Sequence, residues 1–242
     1  AAFGTSTIAQ QGATAAWLQT HQTDPEGPVG RSLTVQMGRE PITGAVLPFT
    51  GHGGKVTKWE FSQALDSFLK FKLDLDFEDI DVSTALLAVP VYPAFTDLFA
   101  WDQMSVTVDG AAVHAKDYSV SGDNNLATDR RFLRSSVLKK EPIRKGHATY
   151  EGKLSCEFED LTHYNRFVAG TIVPIVATWT GALIEGAHNF QLTITAAACQ
   201  FNGDTPQGSL DDLTMQDMPF TILDNASAPA VKVELKTTDN AY

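Results

Sequence analysis

The chain has 242 residues and a mass of 26.2 kDa, enough for one large β domain or two small ones with a sizeable core. Its formal net charge of −11, from 29 acids against 18 bases, argues against general affinity for nucleic acid, because that binding depends on a basic surface. No apolar run approaches the roughly 20 residues of a membrane-spanning helix, so we expect no membrane partner.

The N-terminal part of the chain predicts short strands. Residues 4–23 are rich in Thr, Gln, Ala and Gly with little charge, a composition that suits a strand or a hairpin. Residues 24–28 read DPEGP, a strong turn signal, and residues 32–37 then alternate apolar and polar side chains as a strand does. We therefore expect residues 1–30 to form an N-terminal arm or hairpin.

The only glycine cluster of the sequence is TGHGGK, residues 50–55. A phosphate-binding loop would need glycine where Phe49 stands and serine or threonine where Val56 stands, so that interpretation fails twice. We predict instead a hairpin turn that leads into a strand over residues 55–61.

Residues 67–79 show the cleanest alternation in the chain. One side of this predicted strand should face the core and the other should face water. The expected core side carries Leu69, Phe71, Leu73, Leu75 and Phe77, and the expected wet side carries Lys70, Lys72, Asp74, Asp76 and Glu78. A calcium-binding loop is disfavoured because every second residue is apolar.

The next segments predict a loop and a hairpin. Residues 81–101 contain two prolines and mixed apolar residues, which favours an ordered loop with a helical turn. Asp109-Gly110 separates two strand patterns, residues 103–108 and 112–120, and such a dipeptide is a direct hairpin signal.

Residues 121–146, the basic loop, form the longest stretch without a strand pattern. Between residues 129 and 145 there are seven bases and two acids, a net charge of +5 that leaves −16 for the rest of the chain. A solvated loop and a loop that docks on an acidic partner surface both explain this composition.

Residues 148–181 organise the remaining chain as strand, short helix, strand. Residues 148–158 alternate, Asp160 can cap a helix that Gly170 ends, and residues 171–180 form a β-branched run. The helix should pack its apolar face on the sheet; that face carries Leu161, Tyr164, Phe167 and Val168.

The C-terminal part predicts further strands at residues 187–201, 218–223 and 230–238, with polar turns over residues 202–217. Cys156 and Cys199 fall inside predicted strands without the spacing of a metal or redox motif, so we expect them to be reduced core residues.

No catalytic or metal-binding motif is visible in the sequence. The six histidines are scattered without ligand spacing, and there is no nucleophile elbow or dinucleotide fingerprint. The sequence therefore predicts neither an enzyme nor a bound cofactor or metal.

Several motifs, in this order and spacing, resemble the major tail tube proteins of long-tailed bacteriophages. The motifs are SLTVQMGRE at 32–40, GHGGKVTKWEFS at 51–62, KLDLDFED at 72–79, VTVDGAAV at 106–113, SGDNNLATDRRFL at 121–133 and YEGKLSCEFEDLTHYNRFVAGT at 150–171. The last two are the most specific. The resemblance implies a mainly β fold, an antiparallel β-sandwich or half-barrel with one flanking α-helix and long loops, as a single domain over residues 1–242.

The resemblance also implies a function. Six copies would form a ring, and rings would stack into a hollow tube in the virion, assembled in the cytoplasm of the host bacterium. Its partners would be other copies of the chain, a tape measure protein, and tail terminator and baseplate proteins, while double-stranded DNA would pass without specific binding.

Two residue sets are the candidates for these roles. A net negative channel would let DNA pass, because a basic lining would bind phosphates, and its candidate lining residues are Asp74, Asp76 and Glu78. The candidate inter-subunit contacts are Arg130, Arg131, Arg134, Lys139 and Lys140. An alternative function is a secreted β-sandwich module that binds carbohydrate on exposed aromatics, with Trp17, Trp59, Trp101 or Trp179 as the platform.

Overall fold

The structure is a computed structural model that describes residues 4–24, 30–87, 98–203, 213–225 and 227–241. These residues form sixteen strands, one α-helix and a 3-10 turn at Trp101–Gln103. The strands are β1 Thr5–Gln10, β2 Trp17–Gln22, β3 Leu33–Arg39, β4 Leu47–Ala64, β5 Lys70–Asp76, β6 Asp79–Asp81, β7 Met104–Val108, β8 Ala111–Val113, β9 Ala115–Asp123, β10 Leu126–Ala127, β11 Ile143–Arg144, β12 Thr149–Glu157, β13 Ile172–Glu185, β14 His188–Phe201, β15 Met215–Ile222 and β16 Val231–Thr237. The helix α1 is Thr162–Ala169. The predicted mainly β fold with one helix is confirmed.

The main sheet is antiparallel and consists of two halves that β14 joins. The first half has the strand order β8-β7-β13-β14-β16-β2-β1, and the second half has the order β15-β12-β9-β4-β5. Residues 191–196 of β14 pair with β16, while residues 199–201 pair with β15. One strand therefore belongs to both halves.

The core lies between the two halves. Trp59 and Tyr118 of the second half and Trp179 of the first half belong to one buried cluster, in which the Tyr118 and Trp179 rings pack edge to face at 5.8 Å. The indole N–H of Trp179 donates a hydrogen bond to Gln63 Oε1 at 3.2 Å. This buried N–H group is therefore not left without an acceptor. This pairing fixes how the halves face each other.

Two glycines make room for aromatic rings of this core. Gly122 lies opposite Trp59 and Gly152 lies opposite Phe220 in neighbouring strands. A Cβ at Gly122 would approach the Trp59 indole to 2.5 Å, and a Cβ at Gly152 would approach the Phe220 ring to 2.3 Å. Each ring therefore occupies the space that a side chain on the neighbouring strand would fill.

The predicted cysteine environment is confirmed, because Cys156 and Cys199 are free and buried. Burial raises the pKa of the Cys156 thiol to about 11 and that of Cys199 to about 12. Both groups are therefore neutral thiols at physiological pH, which makes them unreactive.

The prediction of a hairpin turn at the glycine cluster is wrong, because the cluster lies inside the single 18-residue strand β4. The glycines allow a close contact in mid-strand: the Phe77 ring lies against Gly51 and Gly54, where a Cβ would be 2.5 and 2.7 Å from it. Gly53 has φ 64°, which bends the strand at this point. The turn between β3 and β4 instead comes earlier, over residues 40–46.

β4 thus belongs to two parts of the molecule. Its residues 47–54 pair with β3 and β6 in a three-stranded extension, which we call the arm. Its residues 55–64 pair with β5 and β9 in the body. The glycine cluster is the joint between the arm and the body.

The strand predicted over residues 67–79 is β5, and its expected core side is only partly covered. Phe71 stacks on Phe61 at 4.3 Å but keeps 49% of its surface exposed, and Leu73 is exposed as well. Among the described residues, β5 pairs with β4 alone, so its outer edge is open. The periodicity found the strand, but not its position at the edge.

The predicted hairpin at Asp109-Gly110 is confirmed. Val108 pairs with Ala111, and the two central residues have φ of 55° and 77°, as a two-residue hairpin turn requires. A 3-10 turn at Trp101–Gln103 begins where the segment 81–101, with its predicted helical turn, ends, and residues 88–97 of that segment lie outside the described chain.

The predicted helix ends are close to those of α1, but its predicted packing is wrong. The Asp160 carboxylate accepts a hydrogen bond from the Thr162 N–H at 2.7 Å, and Gly170 ends the helix with φ 62°. However, Leu161 and Phe167 are exposed, and no residue of α1 is buried.

The contacts of α1 come from the other side of the helix. The His163 ring packs edge to face on Phe201 at 6.1 Å, and the Arg166 guanidinium pairs with Asp109 at 3.0 Å. These contacts turn the apolar side outward, where Leu161 and Val168 are more than half exposed and Phe167 is 37% exposed.

We expect Phe167→Ala to lower the free energy of unfolding by only about 1 kcal/mol, because 37% of the Phe167 surface is already exposed. Trp179→Ala, at a fully buried ring, serves as the reference and should cost about 3 to 5 kcal/mol. Urea denaturation of the unassembled subunit measures both. Equal losses for the two variants would contradict the placement of Phe167.

Candidate functional site

The basic loop is more ordered than its sequence predicts. β9 runs on to Asp123, and the short strands β10 and β11 pair within the loop. Further out, the Lys140 N–H donates to the Arg130 carbonyl at 3.0 Å. The expectation of a stretch without strands is therefore wrong, because paired backbone carries the loop as far as residues 130–140, which we call the loop tip.

A buried lysine anchors the loop to the joint of β4. Lys55 is 1% exposed, and its ammonium group contacts the Glu141 carboxylate and the Arg31 carbonyl. The Glu141 carboxylate also accepts a hydrogen bond from the Gly30 N–H at 3.0 Å. The hydrogen bond from Lys55 is the main cause that lowers the pKa of Glu141. One ion pair thus ties the basic loop, β4 and residues 30–31 together.

A second ion pair joins two of the predicted site residues within one chain. Lys139 lies 2.6 Å from Asp76, and both side chains are largely buried. The candidate channel residue Asp76 is therefore already paired with a cation of its own chain, the candidate contact residue Lys139. The basic loop folds back over the end of β5. The sequence alone does not predict this contact, because Asp76 and Lys139 are far apart in the chain.

The arginines of the loop tip differ in their availability. Arg130 donates to the Glu141 carbonyl, and Arg134 donates to the Leu138 carbonyl at 2.6 Å, so both stabilise the loop itself. Arg131 is exposed, and its ionic neighbour within the described residues is Asp129 at 4.0 Å on the same segment. Lys140 is exposed as well. Among the five predicted contact residues, Arg131 and Lys140 are the best placed to meet another molecule.

The loop tip also exposes apolar side chains that we did not predict as site residues. Leu133 and Val137 are almost fully exposed, and Phe132 is half exposed with the Arg130 guanidinium 5.8 Å from its ring centre. A signal was present in the sequence, since large apolar residues stand among the arginines of the loop. The anchoring role of Lys55 was harder to predict, because the sequence shows only a lysine at the start of a strand pattern.

The second half of the sheet presents a polar face on the side away from the core. Residues that pair across neighbouring strands share a face of the sheet. Four rows of paired residues make up this face: Asp74, Lys58, Asp123 and Thr149; Lys72, Glu60, Ser121, Glu151 and Thr221; Lys70, Ser62, Ser119 and Lys153; and Asp117, Ser155 and Asp217. Six acids stand there against four bases, a net charge of −2. We call this surface the polar face.

The three candidate channel residues occupy different places. Asp74 lies on the polar face, where Lys72 is 3.8 Å away. Asp76 is held by Lys139, and Glu78 lies beyond the end of β5 with its N–H bonded to the His52 carbonyl of the arm. Asp74 is therefore the candidate with the most open surroundings.

The tryptophans do not form a common platform for a sugar. Trp59 and Trp179 are buried in the core, as expected. Trp17 is half buried in β2, and Trp101 is 44% exposed in the 3-10 turn. Stacking on a carbohydrate would need exposed rings side by side, which these four do not offer.

Neither a metal-binding cluster nor a membrane-spanning helix is present in the described ranges. These residues contain no group of three or more His, Cys, Asp or Glu side chains that could hold a metal ion. They also contain no helix that is long and apolar enough to cross a membrane.

No curated protein matches the chain. A family model described as phage tail tube protein matches residues 1–222, which include the arm, the basic loop, the polar face and α1. The chain therefore belongs to the phage tail tube protein family.

Proposed function

We propose that this structural protein forms rings of six subunits that stack into a hollow conduit for double-stranded DNA. As a member of its family, the chain is a component of the phage tail, assembles into the tube and is not an enzyme. The observation that best supports the ring is the open, half-apolar edge strand β5.

An open edge of this kind calls for a partner. Unpaired N–H and C=O groups along a strand invite pairing with another chain, and folded proteins usually protect such an edge. In β5 the side toward the core keeps Phe71 and Leu73 partly exposed, so both the backbone edge and the apolar side remain incomplete. Pairing with a neighbouring subunit would complete both, and repeated pairing of the same kind closes a ring.

The polar face suits the inner surface of the conduit. It carries a small net negative charge, and three of its four bases stand near acids: Lys58 with Asp123 at 3.1 Å, Lys72 with Asp74 at 3.8 Å, and Lys153 with Asp217 at 2.8 Å. Phosphates would find few unpaired cations there, so DNA would pass without being held. We place Asp74 in the channel on this basis.

Other partners follow from the function rather than from a surface. A tube of defined length requires a tape measure protein inside, a terminator at one end and a baseplate at the other. We propose these as partners, with assembly in the host cytoplasm.

Leu73→Lys tests the proposed use of β5. A lysine on the half-exposed side of the edge strand should keep the subunit folded but prevent ring closure, because its charge would be buried between subunits. Lys70→Ala, on the polar face of the same strand, is the matched control and should assemble normally. Sedimentation velocity and negative-stain electron microscopy measure assembly. Rings from Leu73→Lys equal to those of the parent would rule out β5 as the contact, and the rotational symmetry of parent rings tests the number six.

A further inference from the structure

The loop tip and α1 are attached to opposite ends of one strand. β12 begins at Thr149, just after the basic loop, and ends at Glu157, four residues before α1. A nine-residue strand extends over roughly 27 Å. The ion pairs Lys55–Glu141 and Asp76–Lys139 anchor the loop that leads into the first residue of β12, whereas α1 follows its last residue.

The outward side of α1 forms an apolar surface with an acidic border. Its exposed apolar residues are Leu161, Phe167, Val168 and Ile172. Three exposed acids, Glu157, Glu159 and Asp160, precede the helix. Lys116 pairs with Glu157, and the Asp160 carboxylate accepts a hydrogen bond from the Thr162 N–H, whereas Glu159 makes no ion pair or side-chain hydrogen bond with the described residues. We call this surface the helix patch.

The loop tip is complementary to the helix patch in apolar character and in charge. It exposes Phe132, Leu133 and Val137 beside Arg131 and Lys140. Apolar side chains would meet apolar side chains, and bases would meet acids. Because the two surfaces differ and lie at opposite ends of a strand, contact between copies is head to tail and can continue without limit.

We propose that the loop tip of one subunit docks on the helix patch of a second copy of this chain and so joins successive subunits along the tube. This inference rests on the proposed function, since it requires self-assembly. It assigns an occupant to both surfaces and explains why α1 turns its apolar side outward.

A disulfide experiment tests this contact. The two native cysteines are buried, so Leu133→Cys and Val168→Cys introduce the only exposed thiols among the described residues. A chain that carries both substitutions, assembled into tubes and oxidised mildly, should give a ladder of dimers, trimers and longer products on a non-reducing gel. Each single variant should stay monomeric on that gel, and a mixture of the two single variants should give dimers only.

The outcomes separate the inference from the proposed function. If the parent chain forms no tubes or rings, the proposed function fails. If tubes form normally but the double variant gives no ladder, the docking contact is wrong. Dimers from Leu133→Cys alone would also overturn it, because they would show contact between two loop tips.

A charge exchange provides an independent test. Arg131→Glu should slow tube growth at low salt and reverse its salt dependence, since it places an acid against Glu159 and added salt screens that repulsion. The double variant Arg131→Glu, Glu159→Arg should recover growth because the pair is restored in reverse. Arg131 has an ion pair of 4.0 Å with Asp129 alone, and Glu159 has no ion pair among the described residues, so the exchange should leave the loop and the helix folded. Failure of the double variant to recover growth would contradict this pairing.

Discussion

Replacing Gly152 by alanine should cost about 3 kcal/mol of unfolding free energy, a large part of the stability of a domain. The added Cβ would lie 2.3 Å from the Phe220 ring and 2.6 Å from the Ser119 carbonyl oxygen. The ring could move, but the carbonyl belongs to a paired strand and cannot, so β12 itself would have to shift. Chemical denaturation of the unassembled subunit measures the loss.

Gly181→Ala is the matched control, because its Cβ would meet its nearest neighbours at an ordinary 3.5 Å. We expect that variant to stay within about 1 kcal/mol of the parent. Phe220→Leu combined with Gly152→Ala should recover part of the loss if the ring causes part of the clash. If Gly152→Ala is as stable as Gly181→Ala, the close contact between Gly152 of β12 and the Phe220 ring of β15 is wrong.

Glu141→Gln should be the second severe change, with a loss of about 2 kcal/mol, because it removes the Glu141 charge from the buried Lys55 ammonium. Lys55→Met removes the buried charge together with the pair and should cost less. Both variants should loosen the basic loop, which limited proteolysis can detect. A Lys55→Met loss larger than that of Glu141→Gln would show that the lysine matters for packing rather than for charge.

Acid should reproduce the effect of Glu141→Gln. The folded-state pKa of Glu141 is lowered, so its contribution is complete above the ordinary pKa of 4.5 and is lost as the pH falls through the folded value. The difference in unfolding free energy between the parent and Glu141→Gln should therefore be constant above that pH and shrink below it. The unfolding free energy of Glu141→Gln must be subtracted from that of the parent, because Asp217 also makes stability depend on pH. Its pKa is lowered too, mainly by its hydrogen bond from Lys153.

Sequence patterns were sufficient wherever a strand has one face in the core of its own chain. The alternation over residues 148–158, 187–201 and 230–238 predicted β12, β14 and β16 within one or two residues. Asp109-Gly110 and Gly170 identified a turn and a helix end because their backbone conformations favour those residues.

The same patterns failed where apolar residues are not covered by their own chain. In β5 and α1 the periodicity marks an apolar side correctly, but it cannot distinguish a side that faces the core from one left exposed. The glycine cluster failed for another reason: its glycines admit the Phe77 ring, and this contact depends on a residue 23 positions after Gly54. The ion pair between Asp76 and Lys139 likewise joins distant segments.

The shared strand β4 has a consequence for how related chains can diverge. Successive side chains of a strand alternate between its two faces. One residue inserted between Leu47 and Ala64 would therefore turn the side chains of the arm to the opposite face relative to those of the body. Residues 40–46, at the end of the arm, carry no such constraint. Evolution can therefore change the reach of the arm by insertions at its end, while the joint and the strand behind it must keep their length and change only by substitution.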